Sequence, residues 1–289
     1  MNIQLEHISP NQIEQRSFEI ISKELGDMIL DPEQEPIIKR CIHTSADFDY
    51  AKNLVFSLNA VQCAKEALKK GACIVTDTQM GKSGINKAAL AKLGCDVFCF
   101  MSDEDVANTA KEQGTTRAVA SMDKAVALNR PTILAIGNAP TALIRLYELI
   151  QQGLQPEFII GVPVGFVNVV ESKELILSTQ VPYIVARGRK GGSNIAAAIC
   201  NAFVLIMGYL KHVIRKRHPN AFPIPLSSLL QNETDELGFI CFYFAQNQKD
   251  SHNCYDKDNH HRPQILKIKT MIQHQLITPC SRKYHSNPS

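Results

Sequence analysis

Cys73-Ile74-Val75-Thr76-Asp77 is the run that decides the fold. Three consecutive apolar residues follow a helical segment and give way to polar ones. A continuous apolar run of this kind reads as a strand buried on both faces, which requires helices above and below it. Working outward, the same pattern recurs with short connections. Residues 96–101, 116–121, 132–136, 158–162 and 183–186 read as further strands, and the apolar run 36–42, ending at His43, reads as one upstream. Helices are expected between them: 10–26 with Gly26 as its stop, Asn59 to Gly71 with a Glu66/Lys70 pair, 86–93 before Gly94, and one opening at Ser102-Asp103-Glu104-Asp105. Others are expected at 122–128, after Asn138 with Pro140 in its first turn, at 168–177, and from Ser193 onward. Strand and helix alternate about six times between residues 37 and 217. That order predicts an α/β fold with a doubly wound, mostly parallel sheet and helices on both faces. No repeat period links the units, so a solenoid is excluded.

The chain has 289 residues and a net charge of +3, too small a charge to argue for nucleic acid or an anionic membrane as partner. Nothing at the start has the charged and then apolar pattern of a secretion signal, and the nine cysteines form no CxxC pair. Reduced, buried thiols in a cytoplasmic protein are expected. The longest apolar stretch, 195–210, has 16 residues and is interrupted by Asn201. It falls short of the ~20 needed to span a bilayer, so a buried helix is expected there and no membrane segment. Residues 211–289 differ in character, with seven of the nine histidines. Apart from one apolar run at 237–244 this part lacks periodicity, and His252, Cys254, His260 and His261 match no zinc spacing. The reading is a catalytic domain over 1–210 and a poorly ordered, irregular C-terminal extension over 211–289.

In open α/β sheets ligands bind beyond the carboxyl ends of the strands. That rule selects His43-Thr44-Ser45, Asp77-Thr78, Gly137-Asn138, 163–165 and 187–193 as one rim. His43 is one of two histidines before residue 211, and imidazole can both give and take a proton near neutral pH. In Gly188-Arg189-Lys190-Gly191-Gly192-Ser193 the glycines allow close backbone approach, and the following helix N-terminus favours an anion. Gln79-Met80-Gly81-Lys82-Ser83-Gly84 contains the GKS of a phosphate-binding loop, but Thr76 stands where its first glycine is needed. GxGxxG is absent, which argues against a dinucleotide site.

At these same positions the chain resembles the precorrin-8 methylmutase family of cobalamin biosynthesis. The resemblance rests on Arg16-Ser17-Phe18, His43, Thr76-Asp77-Thr78, GNAPTA at 137–142, VPVGFV at 162–167, Glu171-Ser172-Lys173 and GRKGGS at 188–193, and covers about residues 8–210. The TDT and GRKGGS variants look more like the cobalt-precorrin-8 enzymes than the metal-free ones. Gly81, where a bulkier apolar residue is expected, and the extension 211–289 depart from the pattern. The resemblance implies an isomerase that moves a methyl group from C-11 to C-12 of a corrin precursor, with His43 as general acid/base. It implies Ser17 and Arg40 as substrate contacts. Charge and rim position add Arg16, Lys82, Arg117, Arg187, Arg189 and Lys190 as partners for the substrate's carboxylates. It further implies a homodimer with its site near the subunit interface and no cofactor or protein-bound metal, any cobalt arriving inside the tetrapyrrole. Two other readings stay open on the sequence alone: a corrinoid carrier without turnover, and a nucleotide-dependent enzyme using the GKSG loop.

Overall fold

The run at 73–77 forms strand β2 (Cys73–Thr76), with all four residues buried. Our computed structural model describes residues 5–217, of which 209–217 by backbone alone. Before β2 come a 3-10 turn (Pro10–Gln12), α1 (Ile13–Leu25), α2 (Glu35–Ser45), α3 (Tyr50–Asn53), β1 (Leu54–Phe56) and α4 (Ala60–Lys69). After it come α5 (Gln79–Gly84), α6 (Lys87–Ala91), β3 (Val97–Phe98), α7 (Glu104–Glu112), α8 (Arg117–Val126) and β4 (Thr132–Ile136). The described chain ends with α9 (Pro140–Gln151), β5 (Phe158–Gly161), α10 (Val169–Leu177), β6 (Tyr183–Ala186) and α11 (Ser193–Arg217).

The strands lie in the order β1-β6-β5-β4-β2-β3. Every neighbouring pair is parallel except β1 with β6. Because successive side chains alternate between faces, each strand feeds two cores. Cys73, Val75, Leu134, Ile136, Ile159 and Val185 pack with apolar residues of α7, α8, α9 and α10. On the opposite face α4 and α11 lie against β4 and β5, and Phe158 meets Phe203 edge-on at 5.8 Å. Helix α2 in turn packs on α11. The architecture is doubly wound, as the alternation of elements predicts. Among the described residues no helix is long and apolar enough to cross a membrane.

Two expected strands are helices. The run at 36–42 lies inside α2, with Pro36 in the first turn and Ile37, Ile38, Cys41 and Ile42 buried together. Those four positions make one helical stripe, while Lys39 and Arg40 fall off it, so the period is nearer 3.6 than 2. His43 therefore sits in the last turn of a helix, not at the end of a strand. Residues 116–121 open α8 instead: the Thr116 hydroxyl caps it by accepting from the Val119 N–H at 3.2 Å. A threonine N-cap ahead of alanine-rich sequence outweighs the short apolar alternation. The sixth strand is the antiparallel β1, where the sequence pattern predicts no strand. The expected Glu66/Lys70 pair does not form; Lys70 reaches Glu157 at 3.4 Å and Glu66 accepts from Gln62 at 2.9 Å. The long helix runs through position 210 to Arg217, and the extension beyond it, with the run 237–244 and His252, Cys254, His260 and His261, lies outside the described residues.

Candidate active site

The chain moves from β2 outward to β3 and then crosses back to β4, so the topological switch lies between β2 and β4. This is where an open α/β sheet normally offers its ligand crevice. Here the protein fills it from within. Asp77, 1% exposed, accepts from the backbone N–H groups of Gly137 (2.9 Å), Asn138 (2.8 Å) and Ala139 (2.6 Å). Burial pushes its carboxyl pKa up, outweighing the three N–H groups that pull it down. All three partners are donors, which is the geometry of an ionised carboxylate. The site is closed further by Gly137, where a Cβ would stand 2.6 Å from the Ser193 Cα, and by the Thr78 and Ser193 hydroxyls, 2.7 Å apart.

The next two loops are tied together in the same way. The Gly192 N–H donates to the Val162 carbonyl at 2.8 Å and the Gly165 N–H to the Arg189 carbonyl at 3.2 Å. A Cβ on Gly191 would lie 2.1 Å from the Val162 oxygen, so only glycine fits. Arg187 pairs with Glu174 at 3.1 Å, and Lys190 with Asp47 at 2.7 Å and Asp49 at 2.5 Å. Those two acids raise the Lys190 pKa, and Lys190 lowers that of Asp47. Arg189 has no acid partner among the described residues and lies 5.7 Å from the centroid of Phe166, which is 81% exposed.

Asp47 and Asp49 belong to the segment that follows α2, so Lys190 ties this rim to the helix end that carries His43. The His43 imidazole is exposed and stacks on Phe18 of α1, centroids 5.3 Å apart and planes 15° apart. The Arg40 guanidinium lies 5.0 Å from the same phenyl centroid and pairs with Glu14. Two helices thus bring together an imidazole, a phenyl ring and a half-buried guanidinium. Ser17 is on the same helix as Phe18, its hydroxyl donating to the Ile13 carbonyl at 3.0 Å. Such a cluster can transfer a proton to an exposed ligand, and Arg40 can take a carboxylate that displaces Glu14.

Other predicted residues stand apart. Arg16 is held by Glu6 at 2.8 Å and Glu19 at 3.4 Å, Lys82 lies on α5, and Arg117 is exposed at the start of α8. Neither Lys82 nor Arg117 shares a hydrogen bond or ion pair with another predicted site residue among the described residues. Gly81, Lys82 and Ser83 are helical rather than a phosphate-cradling loop, and Gly81 is buried with its N–H bonded to the Thr78 hydroxyl at 3.0 Å. A Cβ there would stand 3.2 Å from that oxygen, so a bulkier residue would require Thr78 to shift by a few tenths of an ångström. Sequence reasoning passes over Glu14, the acid that holds Arg40, although its i,i+4 spacing from Phe18 on α1 is a signal. It also gives no role to Asp47, Asp49 or the buried Lys173.

Comparison with known proteins gives the family. A family model described as "CbiC: Precorrin-8X methylmutase" matches residues 12–206. A cobalt-precorrin-8 methylmutase of Leptospira interrogans is 46% identical over 203 residues, covering 67% of this chain and 92% of that protein. One of Salmonella typhimurium is 45% identical over 201 residues (68% and 94%), and a precorrin-8X methylmutase of Sinorhizobium is 36% identical over 195 (66% and 92%). The crystal structure of the precorrin-8x methyl mutase from Thermus thermophilus matches with a TM-score of 0.64 at 36% identity, over 68% of this chain and 98% of that one.

Proposed function

The chain belongs to the precorrin-8X methylmutase family and is an intramolecular methyl-transferring isomerase of cobalamin biosynthesis; from that premise we propose how its residues act. The reaction moves a methyl group from C-11 to C-12 of precorrin-8. We assign the proton transfer to His43. Protonated imidazole gives its proton to the ring system, which favours migration, and takes it back when the rearranged macrocycle forms. General acid–base catalysis of this kind contributes about 10²–10⁴-fold. The observation that carries this reading is the exposed imidazole stacked on Phe18 beside the Arg40 guanidinium.

The shift conserves every atom and electron of the substrate, so it calls for no methyl donor and no electron carrier. Any cobalt enters as part of the macrocycle. We assign Arg40 and Ser17 as substrate contacts, with Arg189 reaching an acetate or propionate arm. Arg187 and Lys190 are engaged by acids and Arg16 by Glu6 and Glu19, so, like Arg40 with Glu14, each would exchange that partner for a substrate carboxylate. Lys82 and Arg117 remain candidates by charge alone.

The cobalt form is the preferred substrate in this reading. Support comes from the relatives named for cobalt-precorrin-8, which run from 35% up to 46% identity, while those of Sinorhizobium and Pseudomonas aeruginosa named for precorrin-8X stand at 36%. We also infer a homodimer working in the cytoplasm. Ile13 and Ile20 on α1 and Leu205 on α11 are exposed apolar residues that a second copy could cover. Incubation with precorrin-8 and cobalt-precorrin-8 separately, followed by absorption spectroscopy, tests the assignment. Conversion of the cobalt form supports it; tight retention of the coloured ligand without spectral change would instead support a carrier.

A further inference from the structure

Lys173 sits on α10 among Val169, Ser172 and Ile176, and it is 0% exposed. A buried ammonium is expensive unless an acid or a full set of acceptors meets it. Among the described residues no carboxylate lies within ion-pair distance of it. Its Nζ donates instead to the Gly188 carbonyl at 2.7 Å and the Lys190 carbonyl at 2.9 Å. Burial lowers its pKa to about 8. An apolar side chain would fill the same space without that desolvation cost, so the charge calls for an explanation beyond packing.

The explanation lies in what the two carbonyls belong to. They flank Arg189, the one base of this loop without an acid partner among the described residues, and Gly188 takes φ 81° to turn the chain. Between the two carbonyls Arg189 is exposed, its guanidinium over the Phe166 ring. Without the Lys173 ammonium the two carbonyls would lose the donor they share.

We propose that Lys173 is the positioning residue of the glycine-rich loop: from beneath, it draws the Gly188 and Lys190 carbonyls inward and thereby presents Arg189 to a carboxylate of the substrate. The assignment rests on the proposed reaction for its kinetic readout. It predicts an effect on substrate binding rather than on the proton transfer, because Lys173 touches neither His43 nor Phe18.

The test compares the full chain with its Lys173→Met, Lys173→Gln and Lys173→Arg variants by steady-state kinetics on cobalt-precorrin-8. Timed trypsin digestion, with fragment masses identifying cuts after Arg189 and Lys190, runs alongside. Lys173→Met should raise KM roughly tenfold or more with kcat within about threefold, and speed cutting in the loop. Lys173→Gln should move both in the same direction by less, and Lys173→Arg, which keeps charge and donors, should return both towards wild type. A Lys173→Met enzyme with KM unchanged would overturn the proposal, whether or not the loop is cut faster. So would a fall in kcat alone. If Lys173→Met does not fold, Lys173→Gln decides in its place: wild-type KM and wild-type cutting overturn the proposal. Should wild type turn over neither macrocycle, the assigned reaction fails while the digestion still decides whether Lys173 holds the loop.

Discussion

The carboxyl ends of the strands and the outer end of α2 are the two polar regions of this domain, and they are built on opposite terms. At the strand ends almost every polar group is already spoken for. Asp77 takes the three N–H groups just ahead of α9, Gly191 is pressed on Val162, Lys173 holds the loop beneath Arg189, and Arg187 and Lys190 face acids. At the end of α2, His43 is exposed and its main contact is the face of one phenyl ring. The polar, glycine-rich rim is a scaffold whose internal demands are largely met, and His43, to which we assign the proton transfer, stands beside it. Lys190, through Asp47 and Asp49, is the strap between the two.

The sharpest way to break that contrast is His43→Ala. It should remove about 10²–10⁴-fold or more of the conversion rate while macrocycle binding stays measurable by absorption titration. An active variant would move the chemistry elsewhere. The corresponding blow to the scaffold is Gly191→Ala, whose Cβ would meet the Val162 carbonyl at 2.1 Å. Overpacking typically costs about 1–3 kcal/mol, and here the neighbour is backbone, so a clear drop in denaturation midpoint is expected. A variant as stable as wild type would show that the loops are not locked. Asp77→Asn should destabilise by a similar or smaller amount. One of the three N–H donors would lose its acceptor to an amide NH2, at about 1–3 kcal/mol, read by urea unfolding.

The smallest effect is expected at the strap. The Asp47 pKa is lowered, so the pair's contribution is present above that acid's ordinary value of 3.8 and is lost as pH falls through its lower folded value. The Lys190 pKa is raised, so on the alkaline side the contribution is intact below the ordinary 10.5 and is lost as pH rises through the folded value. Thermal melts of wild type and Lys190→Met should therefore differ slightly at neutral pH and converge at the acid end. A difference that persists at pH 2 would mean that the ion pair is not its source.

Much of this is legible in the sequence because buried parallel strands announce themselves. The runs at 73–76, 132–136, 158–161 and 183–186 have no competing interpretation once helices flank them. The run at 36–42 does have one. A short apolar stretch fits either period, and what settles it is that α2, with Ile37, Ile38, Cys41 and Ile42 buried, packs chiefly on α11, far away in sequence. The candidate site shows the same limit. The chemistry of His43 follows from its residue type, but its place in the last turn of a helix, rather than at a strand end, follows only from that packing.

Composition and local pattern alone determined the α/β class, the alternation of elements, the glycines where backbones must touch, and the residue types able to carry acid–base chemistry. Periodicity and turn chemistry are local properties, and a chain displays them before it folds. Which charges are neutralised was decided only by the tertiary structure. Asp77 meeting 137–139, Lys190 meeting Asp47, Arg40 meeting Glu14 and Lys173 meeting the 188 and 190 carbonyls all join residues that are distant in the chain. Electrostatic pairing depends on separation in space, and no spacing along the sequence encodes these particular partners.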